Sequence, residues 1–181
     1  MQTAVSVHSF AHGPQSGWSC SAFPKVDGES TLVLVFGASD YAFRPEPLAE
    51  LRRAFPTSCI LGCSTAGEIH ADRLADDSLS VAVMPFAHTR LAVATAPVRT
   101  PADSAHAGEH IARQLERPNL RGVLVLSDGL KVNGSALVRG MNSVLPSTVP
   151  ITGGLAGDGS RFQSTWVLKD GVPRLAAPHV G

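Results

Sequence analysis

The chain has 181 residues, 44% hydrophobic and 17% charged, with 15 basic against 15 acidic side chains and a formal charge of zero. That balance suits one large globular domain or two small coupled halves, and excludes a disordered chain. It provides no basic field to attract nucleic acid or an anionic membrane surface, so neither is expected as a partner.

The first residues, MQTAVSVHSFAHG, lack a basic stretch followed by an apolar one, and no apolar run approaches membrane-spanning length. The three cysteines, Cys20, Cys59 and Cys63, form no C-x-x-C pair. A reduced, cytoplasmic chain is the expectation.

In chain order, residues 4–10 predict a short strand, and the Gly-, Ser- and Pro-rich stretch 11–30 predicts a loop. TLVLVF (31–36) is a continuous apolar run rich in β-branched residues, suited to a buried strand. Pro45 and Pro47 open a helix, Leu48, Leu51 and Phe55 share one face of it, and Pro56 stops it. SCILG (58–62) follows as a strand and completes a βαβ unit. SLSVAVM (78–84) and RLAVATA (90–96) predict an antiparallel hairpin around Pro85 and His88. A helix is expected over about 103–117, capped by Asp103 or Ser104, with Ala107, Ile111 and Leu115 inward. GVLVLS (122–127) is the next strand. Asn133 or Ser135 caps a helix to about 145 that buries Leu137, Val138, Met141, Val144 and Leu145. VPIT (149–152) is again strand, and STWVLKDG (164–171) with the tail after Pro173 predicts a second hairpin.

The order of elements repeats, and so do some of the residues. LVLVFGASD (32–40) parallels VLVLSDGLK (123–131), PTSCILGCSTAGE (56–68) parallels PSTVPITGGLAGD (146–158), and TRLA (89–92) parallels PRLA (173–176). The expected fold is therefore α/β, with mixed β-sheet, βαβ units and hairpins, and an internal duplication of a β-α-β-β-β unit over residues 31–98 and 122–181.

Parallel strands of a βαβ unit point their carboxyl ends the same way, and ligands bind at such ends. Four segments occupy them: GASD (37–40), GCSTAGE (62–68), SDGLKVNG (127–134) and TGGLAGDG (152–159). Each joins glycine to an acid, Asp40, Glu68, Asp128 or Asp158. Glycine lets a backbone approach a ligand closely, and converging carboxylates need a cation. Each acid alone is as well explained as a turn or helix cap. Together they could hold a small zwitterion, its ammonium on Asp128, Asp158 or Glu68 and its carboxylate on amide groups near Asn133–Ser135. The candidate ligand-binding residues are Cys63, Ser64, Thr65, Gly67, Glu68, Asp128, Asn133, Gly153, Gly154, Gly157 and Asp158.

GCSTAGEI (62–69), SDGLKVNG (127–134), LVRGMNSVLP (137–146), PITGGLAGDG (150–159) and STWVLKDG (164–171) resemble, in order and spacing, the N-terminal region of FIST proteins. The resemblance runs from about residue 31 to the end. It implies a sensory module of signal transduction, working beside histidine kinases, chemotaxis-type receptors or cyclic-di-GMP enzymes. Amino acids and similar small metabolites are the ligands it implies. The family's usual chain continues into a C-terminal FIST region that these 181 residues do not contain.

Cys63 after a strand could be a nucleophile, with His70 seven residues on, but a thiol needs a base or a helix N-terminus to ionise. His106 and His110 spell the H-x-x-E-H of zinc peptidases, yet both turn from the stripe of Ala107, Ile111 and Leu115. The glycines at 153, 154, 157 and 159 do not have dinucleotide-binding spacing. Lys131 lies near Asn133 and Gly134, but no Walker pattern accompanies it. Trp18 and Trp166 read as packing residues and not as stacking platforms. No metal or cofactor is therefore expected. The favoured reading is a small-ligand sensory module and not an enzyme. The alternatives are a hydrolase or transferase using Cys63 or the acidic loops, and a structural interaction domain that homodimerises through an exposed strand.

Overall fold

The computed structural model describes residues 6–176. The chain divides into two compact units: one comprises the chain up to Leu91 and from Gly157 onward, and the other is Ala92–Ala156. The second unit is thus an insertion in the chain of the first.

The first unit is built on a mixed sheet of seven strands. Its centre is β3 (Thr31–Ala38), which pairs in parallel with β4 (Cys59–Thr65) from Leu32↔Cys59 to Ala38↔Thr65. The crossover between them carries α1 (Glu46–Ala54), with Pro47 in its first turn and Leu48 and Leu51 buried. On its other side β3 pairs antiparallel with β7 (Leu79–Pro85), which pairs antiparallel with β1 (His8–Gly13). A two-residue β2 (Gly17–Trp18) folds back on β1. Beyond β4 come β10 (Thr165–Lys169) and β11 (Val172–Ala176), so the sheet reads β11-β10-β4-β3-β7-β1-β2. A separate antiparallel hairpin, β5 (Glu68–His70) with β6 (Arg73–Ala75), lies between β4 and β7 in sequence.

Alternation explains the core of this unit. Val33 and Val35 in β3 are buried with Leu79, Val81 and Val83 of β7, together with Leu51, Phe55, Trp166 and Leu168. Phe10, Trp18, Phe23 and Phe55 close it with edge-on or tilted ring contacts. Gly62 is needed in β4, because a Cβ there would lie on the Val35 carbonyl oxygen.

In the second unit β8 (Val123–Ser127) and β9 (Ile151–Leu155) pair in parallel from Val123↔Ile151 to Ser127↔Leu155. Gly153 has φ of 142°, and a Cβ there would strike the Val125 carbonyl oxygen. Two helices, α2 (Ser104–Leu115) and α3 (Gly134–Asn142), complete the unit, and Ala112, Leu115, Val123, Met141, Leu145 and Val149 form its core. The helices cross closely because each contributes a glycine. A Cβ on Gly108 would meet the Leu137 carbonyl, and a Cβ on Gly140 the Ala105 carbonyl. Asn133 caps α3, its Oδ1 accepting from the Ala136 N–H at 3.0 Å.

The fold class is α/β with mixed sheet, and both βαβ units form as expected. Several details differ. The hairpin expected over 78–96 does not form: residues 90–96 carry no strand, and β7 has both edges occupied, by β3 and β1. The first strand, expected over 4–10, runs His8–Gly13, and residues 4 and 5 lie outside the described residues. The stretch 11–30 contains β2, reached through a turn in which Gly17 has φ of 66°. Val138 is exposed, one position round the helix from the buried face of Leu137 and Met141. The β10–β11 hairpin does form, through Asp170 and Gly171, both at positive φ, the two-residue turn whose twist matches paired strands. It joins the sheet of the first unit, whereas the β8–α3–β9 block preceding it belongs to the second. Residues 177–181 of the predicted tail lie outside the described residues.

Candidate functional site

The parallel pair β3–β4 delivers two chain ends to the same edge of the first unit. After β3 the chain enters a 3-10 turn, Ser39–Ala42, and after β4 it turns through Ala66 and Gly67 into β5. The β5–β6 hairpin then brings Asp76 and Asp77 back toward this edge. Asp77 has φ of 57°, and its carbonyl accepts from the Tyr41 hydroxyl at 3.5 Å. The fourth segment is the loop that leads into β10. Its Gly157 N–H donates to the Ser64 carbonyl at 2.9 Å.

These segments border an open cavity of about 210 Å³. Ala38, Thr65–Glu68, Asp76, Asp77 and Asp158–Arg161 line it. Ligand pockets for larger organic molecules run to roughly 300–1,000 Å³, so this one suits a guest of few heavy atoms.

Glu68 is the buried hub, 3% exposed. One of its oxygens accepts from the Thr65 hydroxyl at 2.7 Å, and the other from the Ser78 N–H at 3.1 Å and the Ser78 hydroxyl at 2.9 Å. All three donors are neutral. Among the described residues no lysine, arginine or histidine makes an ion pair with it.

Asp158 is also buried and organises its own loop. It accepts from the N–H groups of Phe162, Gln163 and Ser164 at 3.0, 2.6 and 2.9 Å. Burial pushes its carboxyl up; the three N–H groups and the Arg161 charge outweigh burial and hold it below the ordinary carboxylate range. Arg161 ties this loop to the turn after β3. Its Nε donates to the Asp158 carbonyl at 3.2 Å, one terminal nitrogen to Asp40 at 2.9 Å and the other to the Ser39 hydroxyl. Trp166 braces this edge from beneath, its backbone N–H on the Ser64 hydroxyl and its ring N–H on the Ala38 carbonyl, each at 3.1 Å.

A model of the FIST N domain matches residues 31–177. The chain belongs to the FIST N-domain family. The matched region takes in every residue that lines the cavity and leaves out β1 and β2, so the cavity is built wholly from the FIST part of the chain. No curated protein and no solved structure matches the chain.

Within this FIST domain the residues singled out from sequence separate into groups. Thr65, Gly67, Glu68 and Asp158 line the cavity, and Gly157 lies beside Ala66 with ordinary van der Waals spacing. Cys63 and Ser64 are buried in β4 and are not among the lining residues. Burial pushes the Cys63 thiol up to about 11, so it is protonated at neutral pH. Asp128, Asn133, Gly153 and Gly154 belong to the second unit. There Asp128 accepts from the N–H of Leu130 at 3.0 Å and from that of Lys131, Asn133 caps α3, Gly153 allows the close approach of β9 to β8, and Gly154 faces open space. His106 and His110 are exposed on α2, and among the described residues no three His, Cys, Asp or Glu side chains are placed to hold a metal ion. No helix of the described residues is long and apolar enough to cross a membrane.

Three charged residues of the cavity were not singled out from sequence: Asp76, Asp77 and Arg161. The signal available for the first two was an acidic doublet immediately before a predicted strand. For Arg161 it was a cation three residues after Asp158.

Proposed function

We propose that this FIST domain is a sensory module of signal transduction and that the acidic cavity of its first unit receives the small molecule it senses. The observation that carries this reading is Glu68: a buried carboxylate on the wall of a cavity, held by neutral donors alone. Buried carboxylates normally face a cation as well as neutral donors, so a ligand with a positively charged group would supply what the protein's own side chains do not.

The signal would arise by differential binding. Three turns border the cavity: 65–68, 76–77 and 158–161. A ligand touching all three favours the arrangement in which they are apposed, and only such a preference can pass a signal on. The output is a signalling protein such as a histidine kinase or a cyclic-di-GMP enzyme. Catalysis by Cys63 is the weaker reading, because a buried thiol pushed up to about 11 supplies almost no thiolate.

The test is a thermal-shift screen of the whole chain against amino acids, amines and organic acids, followed by hydrogen exchange with any hit. The expected result is a hit that slows amide exchange in the three turns. No hit in any class, or protection confined to other segments, would overturn the reading.

A further inference from the structure

We propose that the outer edge of β9 pairs with the same edge of a second copy of this chain, so that two second units share one four-stranded sheet, β8–β9–β9–β8. This assembly does not depend on what the cavity of the first unit binds.

An open sheet edge is a row of unpaired N–H and C=O groups, and proteins that stay apart blunt it with short strands, proline or charge. The other sheets carry those devices. The seven-stranded sheet ends on one side in β2, two residues long, and on the other in β11, which holds Pro173 and Arg174. The strands of the β5–β6 hairpin are three residues each, with His70 in one and Arg73 in the other. β9 has none of them. Its five residues, ITGGL, include neither proline nor charge, and its register with β8 runs without a bulge. Among the described residues its outer backbone groups have no backbone partner. Thr152, Gly153, Gly154 and Leu155 are all exposed, whereas β8 exposes only Leu124.

Charge selects the occupant. An edge meant for a different protein would select it through flanking charges or aromatic side chains. No charged or aromatic residue occurs between Arg139 and Asp158. A copy of the same edge therefore meets no like charge, and with a formal charge of zero the two chains do not repel at a distance. Backbone ladders are self-complementary when antiparallel, which is the geometry of a two-fold axis. Pro150 has no N–H to donate and bounds the ladder at Ile151, so the two-fold falls on the middle residue, Gly153. Ile151 then stands opposite the partner's Leu155, and Gly154 opposite the partner's Thr152. Leu155, 50% exposed in one copy, gains an apolar neighbour. A Cβ on Gly154 would meet nothing within 4 Å in its own chain, which leaves room for the facing threonine.

The experiment is analytical ultracentrifugation of the whole chain from about 1 to about 100 μM, the range in which a small interface associates. A species of twice the 18.9 kDa chain mass is expected to grow with concentration. Thr152→Lys and Gly154→Lys each put a charge on the edge at an exposed position, and each should weaken association at least about tenfold. Oxidation of the double variant Thr152→Cys/Gly154→Cys should give a disulfide-linked dimer that the parent chain does not form, because directly opposed residues of antiparallel strands lie within disulfide reach. A chain that is monomeric at every concentration overturns the proposal and leaves the edge to a strand of another protein. A dimer unmoved by both lysine variants, or a double-cysteine variant that fails to cross-link, overturns it as well.

Discussion

Ser78 places both its backbone N–H and its hydroxyl on a single oxygen of Glu68, at 3.1 and 2.9 Å. Ser78 immediately precedes β7, and Glu68 opens β5. The contact therefore ties the start of the β5–β6 hairpin to the sheet and fixes the carboxylate against the cavity. Removing the hydroxyl leaves a buried carboxylate with one donor fewer. Ser78→Ala should cost about 1–3 kcal/mol of stability, the usual penalty for stranding such a group. Urea denaturation monitored by tryptophan fluorescence measures it, and an unchanged midpoint would show that the hydroxyl contributes nothing.

The crossing of α2 and α3 makes a second prediction. Gly108 and Gly140 each face a carbonyl of the opposite helix, so a methyl group on either forces the helices apart. Gly108→Ala and Gly140→Ala should each destabilise the second unit by about 1–3 kcal/mol despite alanine's better helix propensity. The double variant should cost less than the sum, because the first substitution already opens the gap the second needs. Denaturation of the three variants decides the point.

At high pH the buried thiol of Cys63 governs a third. Its pKa is pushed up from 9.0 to about 11 by burial. The unfolded chain ionises first, so Cys63 leaves stability intact below about pH 9 and lowers it as pH rises toward 11. Tyr41, pushed up to about 12 by burial, extends the same trend. Cys63→Ala should flatten the decline between pH 9 and 11. In the native protein at pH 8, iodoacetamide should leave Cys63 unmodified, as peptide mass spectrometry will show.

The loop into β10 gives a fourth. Asp158 gathers three consecutive N–H groups, and Phe162 stands 75% exposed at φ of 50°. Asp158→Ala releases those groups and should speed chymotrypsin cleavage after Phe162 at least several-fold, since cleavage follows local opening. Because the Asp158 pKa lies below its ordinary value, its contribution holds above pH 3.8 and is lost as pH falls through the folded value. Equal cleavage rates in the variant and the parent would show that the carboxylate does not hold this loop.

Much of this was readable along the chain. The apolar run at 31–36, the prolines around α1 and the hairpin signalled by STWVLKDG each act through neighbours in sequence, and each formed where expected. Glu68 and Asp158 were visible as acids directly after glycine-bearing strand ends. The RLAVATA segment, by contrast, has strand composition and carries no strand, because β1 arrives from far away in sequence to take the edge of β7 that a hairpin would have used. Asp76, Asp77 and Arg161 looked like ordinary turn residues for a similar reason. What distinguishes them is the company they keep, and that is set by a hairpin and a loop folding back on strands already paired.

Local rules therefore specified the elements: apolar periodicity, proline and glycine placement and capping side chains act over a few residues and leave their mark on them. Which strands become neighbours depended on competition for sheet edges among segments far apart in the chain. Arg161 reaches Asp40 across 121 residues, and no short-range pattern could encode that pairing. The acidic cavity, with its buried Glu68 and its Arg161–Asp40 ion pair, is a product of that long-range competition.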